Sequence, residues 1–308
     1  MSHRAGFVSL IGRPNAGKST LLNRLVGEKL SIVSPRPQTT RNRITGIKNI
    51  RDAQVIFVDT PGLFPAEGKL GNFMLNTARR AVEDVDVVCL VVDAAAGDGP
   101  DALVLEPLRA YAGPAFCILN KSDRVRPKSR MLPVIETWRR SHPFAEIVPI
   151  SAMDGTYCDR LLDLLVRRLP EHPPFFPADA TSDQPETFFV AEMIREKVFH
   201  LTHQEVPYAV AVRVEELTER ENPPCLYIQA TVFVEQESQK GILIGKGGAM
   251  LKRIGTAARR DLEAFFGIKV FLESTVEVRR HWRRDGRALH EVGFRLTSCW
   301  GWESRRPW

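Results

Sequence analysis

Residues 12–19 read Gly12-Arg13-Pro14-Asn15-Ala16-Gly17-Lys18-Ser19, between an apolar run at 7–11 (FVSLI) and an amphipathic stretch at 18–26 (KSTLLNRLV). The spacing is GxxxxGK[ST] at a strand-to-helix junction, the context in which this pattern folds as a phosphate-binding loop. Gly12 and Gly17 permit backbone angles and close approaches that a side chain would block. The loop amides and the helix N-terminus then face phosphate oxygens. Lys18 brings a mobile cation to the β- and γ-phosphates, and Ser19 offers a hydroxyl to magnesium. Arg13, Pro14, Asn15, Ala16 and Thr20 complete the expected nucleotide-binding stretch.

Working outward, apolar runs at 55–58, 85–92, 115–119 and 146–150 alternate with amphipathic stretches at 103–111 and 160–169. Short buried strands separated by helices predict crossover units: an α/β fold with a mainly parallel sheet and helices on both faces, over 1–170. Asp59-Thr60-Pro61-Gly62 closes the second of these strands. A carboxylate at a strand's C-terminal edge lies over the phosphate site, where Asp59 can hold a magnesium-bound water. The Gly62 amide can touch the γ-phosphate and so report its presence. Asn120-Lys121-Ser122-Asp123 closes another strand. The Asp123 carboxylate can accept from N1 and N2 of guanine, a donor pair that adenine lacks, so the site discriminates against ATP. Lys121 can lie against the base, and Asn120 can tie this loop to the phosphate loop. Ser151, Ala152 and Met153 follow the last strand, where their backbone can reach the base.

The bulk composition is compatible with two soluble domains: 308 residues, 44% hydrophobic, 26% charged, formal net charge +6. A modest positive surplus favours an anionic partner. Cys89, Cys117, Cys158, Cys225 and Cys299 are single and scattered, which suits buried free thiols in a reducing cytoplasm. The N-terminus shows no signal-peptide pattern, and no apolar run approaches the ~20 residues that span a bilayer.

The stretch at 170–185, PEHPPFFPADATSDQP, is rich in proline. Residues 171–185 read as a semi-rigid linker between domains. Beyond it the pattern changes. A helix is expected over 188–202, strands over 208–214 and 227–234, helices over 238–244 and 249–266, and a strand over 269–278. This α–β–β–α–α–β order over 186–294 resembles an α+β, type II KH domain. Gly245-Lys246-Gly247-Gly248 supplies the GxxG that such domains use to clamp about four nucleotides of single-stranded RNA. Residues 240–260 carry Lys240, Lys246, Lys252, Arg253, Arg259 and Arg260 with no acid among them. Ile242, Leu243, Ile244 and Ile254, closed by 270–272, are expected to line an apolar groove for bases, with Lys252 and Arg253 beside it. His200 and His203 read as structural or surface residues. The tail 295–308, with Trp300, Trp302 and Trp308 beside Arg305 and Arg306, is expected to be an unstructured extension.

The first-domain spacings resemble the small GTPases of the translation-factor class. In that class a threonine from a mobile loop completes the magnesium shell. Here the loop is 31–43, and Thr39 or Thr40 can serve, Thr40 being favoured. Ras-like proteins place a water-orienting glutamine directly after the DxxG glycine. Leu63 stands there in this sequence, so hydrolysis must be organised otherwise. In bacterial GTPases with a GRPNxGKS loop the asparagine helps hold a potassium ion beside the phosphates, which makes Asn15, with Lys18 and Thr40, the expected catalytic set.

One family combines both domains. GRPNAGKSTLLN at 12–23, QTTRNR at 38–43, QEVPY at 204–208, ILIGKGGAMLKRIG at 242–255 and Trp282 resemble the Era family of bacterial GTPases, from about residue 5 to residue 294. The resemblance implies GTP or GDP with Mg2+ as ligands and K+ as a further cation. It implies 16S ribosomal RNA near its 3′ end and the 30S subunit as partners, a monomeric cytoplasmic protein, and some contact with the inner face of the cell membrane. Two other readings are an RNA-binding scaffold with a vestigial nucleotide domain and a GTP-regulated membrane-surface protein.

Overall fold

The computed structural model describes residues 3–34, 36–97 and 99–294; the Trp-rich tail at 295–308 lies outside the described residues. Two compact units are present. The first takes residues up to 183 apart from 67–70, and the second begins at 184.

In chain order the first unit runs β1 (Arg4–Ile11), α1 (Lys18–Val26), β2 (Ile44–Ile50), β3 (Ala53–Asp59), α2 (Gly68–Arg80), β4 (Val87–Asp93), α3 (Ala102–Arg109), β5 (Ala115–Asn120), α4 (Met131–Ser141), β6 (Glu146–Pro149) and α5 (Cys158–Val166). The sheet order is β2-β3-β1-β4-β5-β6. All pairs are parallel except β2 with β3, a hairpin turning at residues 51–52. The central strands are buried along almost their whole length, which is why they read as unbroken apolar runs. The C-terminal edges of β1, β3, β5 and β6 carry the motif loops. Cys89, Cys117 and Cys158 are buried free thiols, and burial pushes their thiol pKa values up; Cys225 is half-buried.

The 171–185 stretch differs from the expected linker. Most of it is bound to the first unit. Phe175 and Phe176 pack on a cluster of Phe7, Ile56, Val58 and Ala81. Phe175 lies 5.0 Å from Phe7 between ring centroids. The buried Gln54 carboxamide oxygen accepts from the Phe175 and Phe176 amides at 2.7 and 3.0 Å, and its nitrogen donates to the Phe176 carbonyl at 2.8 Å. Further along, Ile47 N donates to Thr181 O at 2.8 Å, and Asn49 Nδ2 to Ala178 O at 2.9 Å. Proline removes donors but leaves carbonyls free, so a proline-rich strap can still dock along a sheet edge.

The second unit runs α6 (Glu186–Leu201), β7 (Ala211–Glu221), β8 (Pro224–Val234), α7 (Glu237–Ile244), α8 (Ala249–Phe266), β9 (Val270–Val278) and α9 (Gly286–Glu291). Its sheet order is β7-β8-β9, antiparallel then parallel. Alternate residues Leu226, Ile228, Ala230, Val232 and Val234 pack against Val190, Ile194, Leu243, Ala258 and Leu262 from the helices. Trp282 is buried, donates from Nε1 to Ala209 O at 3.0 Å, and stacks on Phe294. Among the described residues no helix is long and apolar enough to cross a membrane.

Candidate functional site

The 12–19 turn needs both its glycines. Gly12 has φ +145, and a Cβ there would lie 2.2 Å from Val91 O. Gly17 has φ +94, and its Cβ would lie 2.3 Å from Asn120 Nδ2. Lys18 is buried and donates to the carbonyls of Gly12 and Arg13 at 3.1 Å each, which holds the ammonium across the loop. Burial lowers its pKa to about 8, against the opposing pull of Asp59. Incoming phosphate oxygens supply the negative charge that burial denies it.

Three oxygen side chains converge beside the loop. Ser19 Oγ lies 2.9 Å from Thr40 Oγ1 and donates to Asp59 Oδ2 at 2.7 Å. Asp59 Oδ1 is buried without a hydrogen-bond partner. Burial pushes the Asp59 pKa up, and the Lys18 ammonium and the Ser19 and Ser31 hydroxyls pull it back. Two hydroxyls and a carboxylate with an unsatisfied oxygen suit a hard cation such as Mg2+. Thr39 faces elsewhere and donates to Arg36 O at 2.9 Å, so the geometry favours Thr40 of the two threonines.

The next loop is docked on the phosphate loop. Leu63 N donates to Gly12 O at 2.9 Å, and a Cβ on Gly62 would lie 2.6 Å from Pro14 N. The Leu63 side chain is fully buried with Ile11, Ala78 and Leu90.

At the base site, Asn120 Nδ2 donates to Ala16 O and its Oδ1 accepts from Ala152 N, both at 2.9 Å. One carboxamide thus joins the phosphate loop to the 151–153 turn. Lys121 Nζ donates to Asn15 O and to Asp93 Oδ2, both at 2.6 Å. Asp123 Oδ1 is buried and lacks a partner, as a guanine-reading carboxylate requires. Met153 is 68% exposed, and the carbonyls of Ala152 and Met153 accept from the Arg24 guanidinium. Sequence reasoning did not find Asp93, Arg24, Asn23 or Ser31. Asn23 closes the GRPNAGKSTLLN stretch and Ser31 opens the 31–43 loop, but neither was given a role, because each of the four acts on another side chain or on backbone.

The second unit places Gly245-Lys246-Gly247-Gly248 between α7 and α8. Gly245, Gly247 and Gly248 have φ of +70, +60 and +79. Lys246, Lys252, Arg253, Arg259 and Arg260 are exposed. Ile242 is 48% exposed and Ile244 half-buried. The expected apolar groove needs correcting. Leu243 and Ile254 lie in the core, Ile254 with only 2% exposed. On α8, Ile254, Ala258 and Leu262 fall on one inward stripe, as i, i+4, i+8 spacing dictates. Residues 270–272 do not act together either: Val270 and Leu272 face the core, while alternation sends Phe271 to the opposite sheet face. There it stacks on Tyr227 at 5.9 Å, and Arg220 covers the Tyr227 ring.

Residues 7–121 match the family model described as 50S ribosome-binding GTPase, and residues 205–283 match the KH domain model. Two relatives called GTPase Era, from Syntrophus aciditrophicus and Geobacter metallireducens, are 50% and 49% identical over 292 residues. The alignments cover 94% of this chain in each case, and 95% and 98% of those relatives. Two solved structures are 39% identical and cover 94% of this chain and 99% of their own. One is an Aquifex aeolicus Era variant bound to GDP and AlF4−, with a TM-score of 0.89. The other is Era in complex with MgGDPNP and nucleotides 1506–1542 of 16S ribosomal RNA, with a TM-score of 0.90.

Proposed function

This chain belongs to the Era family of GTPases, and from that premise we propose that it is a GTP-hydrolysing switch whose second unit grips single-stranded RNA near the 3′ end of 16S ribosomal RNA during 30S subunit assembly. The observation that carries the reading is the pairing, in one chain, of a guanine-reading Asp123 with a GxxG turn that opens a basic helix. The related complex with 16S nucleotides supports the choice of RNA. The family model's description names the large subunit, but it matches only 7–121 and so does not bear on the RNA-binding half.

In this proposal residues 12–20 cradle the phosphates, and Lys18 neutralises charge that grows on the β–γ bridge during transfer. Ser19, Thr40 and Asp59 would hold Mg2+, which when bound neutralises the phosphate oxygens. Gly62, docked on Pro14, senses the γ-phosphate. Asn120, Lys121 and Asp123, with the 151–153 backbone, take the guanine. Asn15 stands exposed at the turn with φ +63. With K+ it would supply the positive charge that other GTPases draw from an arginine finger. Gly245, Lys246, Gly247 and Gly248 clamp the RNA backbone, Ile242 and Ile244 meet bases, and Lys252 and Arg253 meet phosphates. Residues 1–170 extended by the bound strap act as the GTPase domain and 186–294 as the KH domain. Peripheral contact with the inner membrane face and a monomeric state enter only from the family resemblance.

The test is filter binding of a single-stranded 16S 3′-end oligonucleotide and of the same sequence as duplex, each with GDP and with a GTP analogue. Preference for the single strand and a nucleotide-dependent affinity are expected. Equal binding of duplex and single strand would overturn the RNA assignment, because a clamp on splayed bases cannot grip an A-form helix.

A further inference from the structure

Asp59 Oδ2 accepts two hydroxyls. One comes from Ser19; the other comes from Ser31, whose Oγ donates at 3.0 Å and which is itself buried. Ser31 is held in turn by Asn23 of α1. The Asn23 carboxamide oxygen accepts from the Leu30 and Ser31 amides at 3.0 and 2.9 Å, and its nitrogen donates to Ser31 O at 2.8 Å.

We infer that Ser31 is a positioning residue for the magnesium carboxylate and that Asn23 is the clasp that keeps it there. A carboxylate rotates about its Cβ–Cγ bond unless its oxygens are fixed. Two donors on Oδ2 fix the plane of the carboxylate, and Oδ1 is left without a protein partner. Ser19 belongs to the metal set, so Ser31 is the donor that does not change its task when the metal binds. Outer-shell donors of this kind set the affinity of the site they orient.

The clasp has a consequence for the switch. Ser31 begins the 31–43 loop and Thr40 lies near its end, so the loop meets the metal set at two points. Asn23 anchors the Ser31 end to α1, which immediately follows the phosphate loop. Thr40 can therefore leave while Ser31 stays on Asp59. The Ser31 contribution must then appear with GDP as well as with GTP, whereas the Thr40 contribution needs the γ-phosphate.

The inference rests on the proposed magnesium set of Ser19, Thr40 and Asp59, and the experiment separates the two. Nucleotide retention by the full chain is titrated with Mg2+, using fluorescent GDP and a fluorescent GTP analogue, and compared with affinity in EDTA. Ser31→Ala is expected to raise the half-saturating Mg2+ on the order of tenfold with both nucleotides, as losing one hydrogen bond to a charged group would, while changing EDTA affinity less than about twofold. Thr40→Ala should raise it with the GTP analogue alone. Asn23→Ala should act in the Ser31→Ala direction, and the double mutant should add nothing beyond Ser31→Ala. An unchanged Mg2+ requirement in Ser31→Ala, or a loss equally large in EDTA, overturns the positioning role. If Thr40→Ala and Asp59→Asn also leave the Mg2+ requirement unchanged, the metal set itself is wrong.

Discussion

At the scale of single residues, the guanine assignment turns on one atom. Asp123 Oδ1 is buried without a protein partner. In the proposed reading the N1–N2 donor edge of guanine satisfies it. Asp123→Asn puts an amide where two donors arrive. GTP affinity should fall by on the order of 100-fold, and xanthosine triphosphate should bind better than GTP, because the amide can donate to the xanthine O2. Competition binding measures both; equal affinity of the unsubstituted protein for ATP and GTP would end the guanine reading. Leu63 argues a second point. Its side chain is buried with Ile11 and Leu90 and carries no polar group that could orient a water. Hydrolysis without a partner should be slow and faster in K+ than in Na+ by several-fold, with the difference abolished in Asn15→Ala. Single-turnover rates in matched salts decide it. The residues marked by the sequence are those proposed to meet phosphate, metal or base, because each ligand atom demands a particular chemical group at a fixed spacing. Ser31, Asp93 and Arg24 were illegible for the opposite reason. Their partners are other protein atoms, brought near only by the fold.

At the scale of elements, the buried parallel strands and α1 were legible because their periodicity is forced by burial. The antiparallel β2, ITGIKNI, was not: as an edge strand it lacks the unbroken apolar run of its neighbours. The stretch at 171–185 was read as a linker because proline marks breaks in regular structure. Much of what binds it comes through one glutamine on β3, invisible to composition. Gln54 carries two acceptor and two donor contacts at once, to Phe175, Phe176 and Asn49. Gln54→Ala strands two partly buried backbone amides and a carbonyl. At ~1–3 kcal/mol for each buried polar group left unpaired, less what water recovers at the half-buried strap, the first unit should lose about 2–4 kcal/mol. Urea unfolding in excess GDP reads this loss. A change below about 0.5 kcal/mol, the usual scatter for surface substitutions, would mean that the strap is bound mainly by Phe175 and Phe176.

At the scale of the whole molecule, the acid-free stretch 240–260 places Lys246, Lys252, Arg253, Arg259 and Arg260 on the surface at the GxxG turn and α8. The opposite sheet face is of mixed charge, with Glu216, Glu273 and Glu277 beside Arg213, Arg220, Tyr227 and Phe271. In the proposed reading an RNA strand is drawn to the 240–260 stretch. The two activities of the chain therefore sit in separate compact units, and a change on the basic face should silence one without the other. Lys246→Asp with Gly247→Asp makes that change. Lys246 is exposed, and a Cβ at Gly247 meets nothing within 4 Å. Gly247 has φ +60, a left-handed backbone that aspartate tolerates better than most residues. The variant should fold. Two carboxylates would then stand where backbone phosphates must pass, and at short range such like-charge contacts cost on the order of several kcal/mol. Affinity for the single-stranded 16S 3′-end oligonucleotide should drop by at least ~100-fold, and GDP affinity should stay within about twofold, since residues 12–153 are untouched. Filter binding and GDP titration on the same sample measure both. If RNA affinity holds while GDP affinity holds, the GxxG turn is not the RNA site, and the basic segment from Arg279 onward becomes the surface to substitute next.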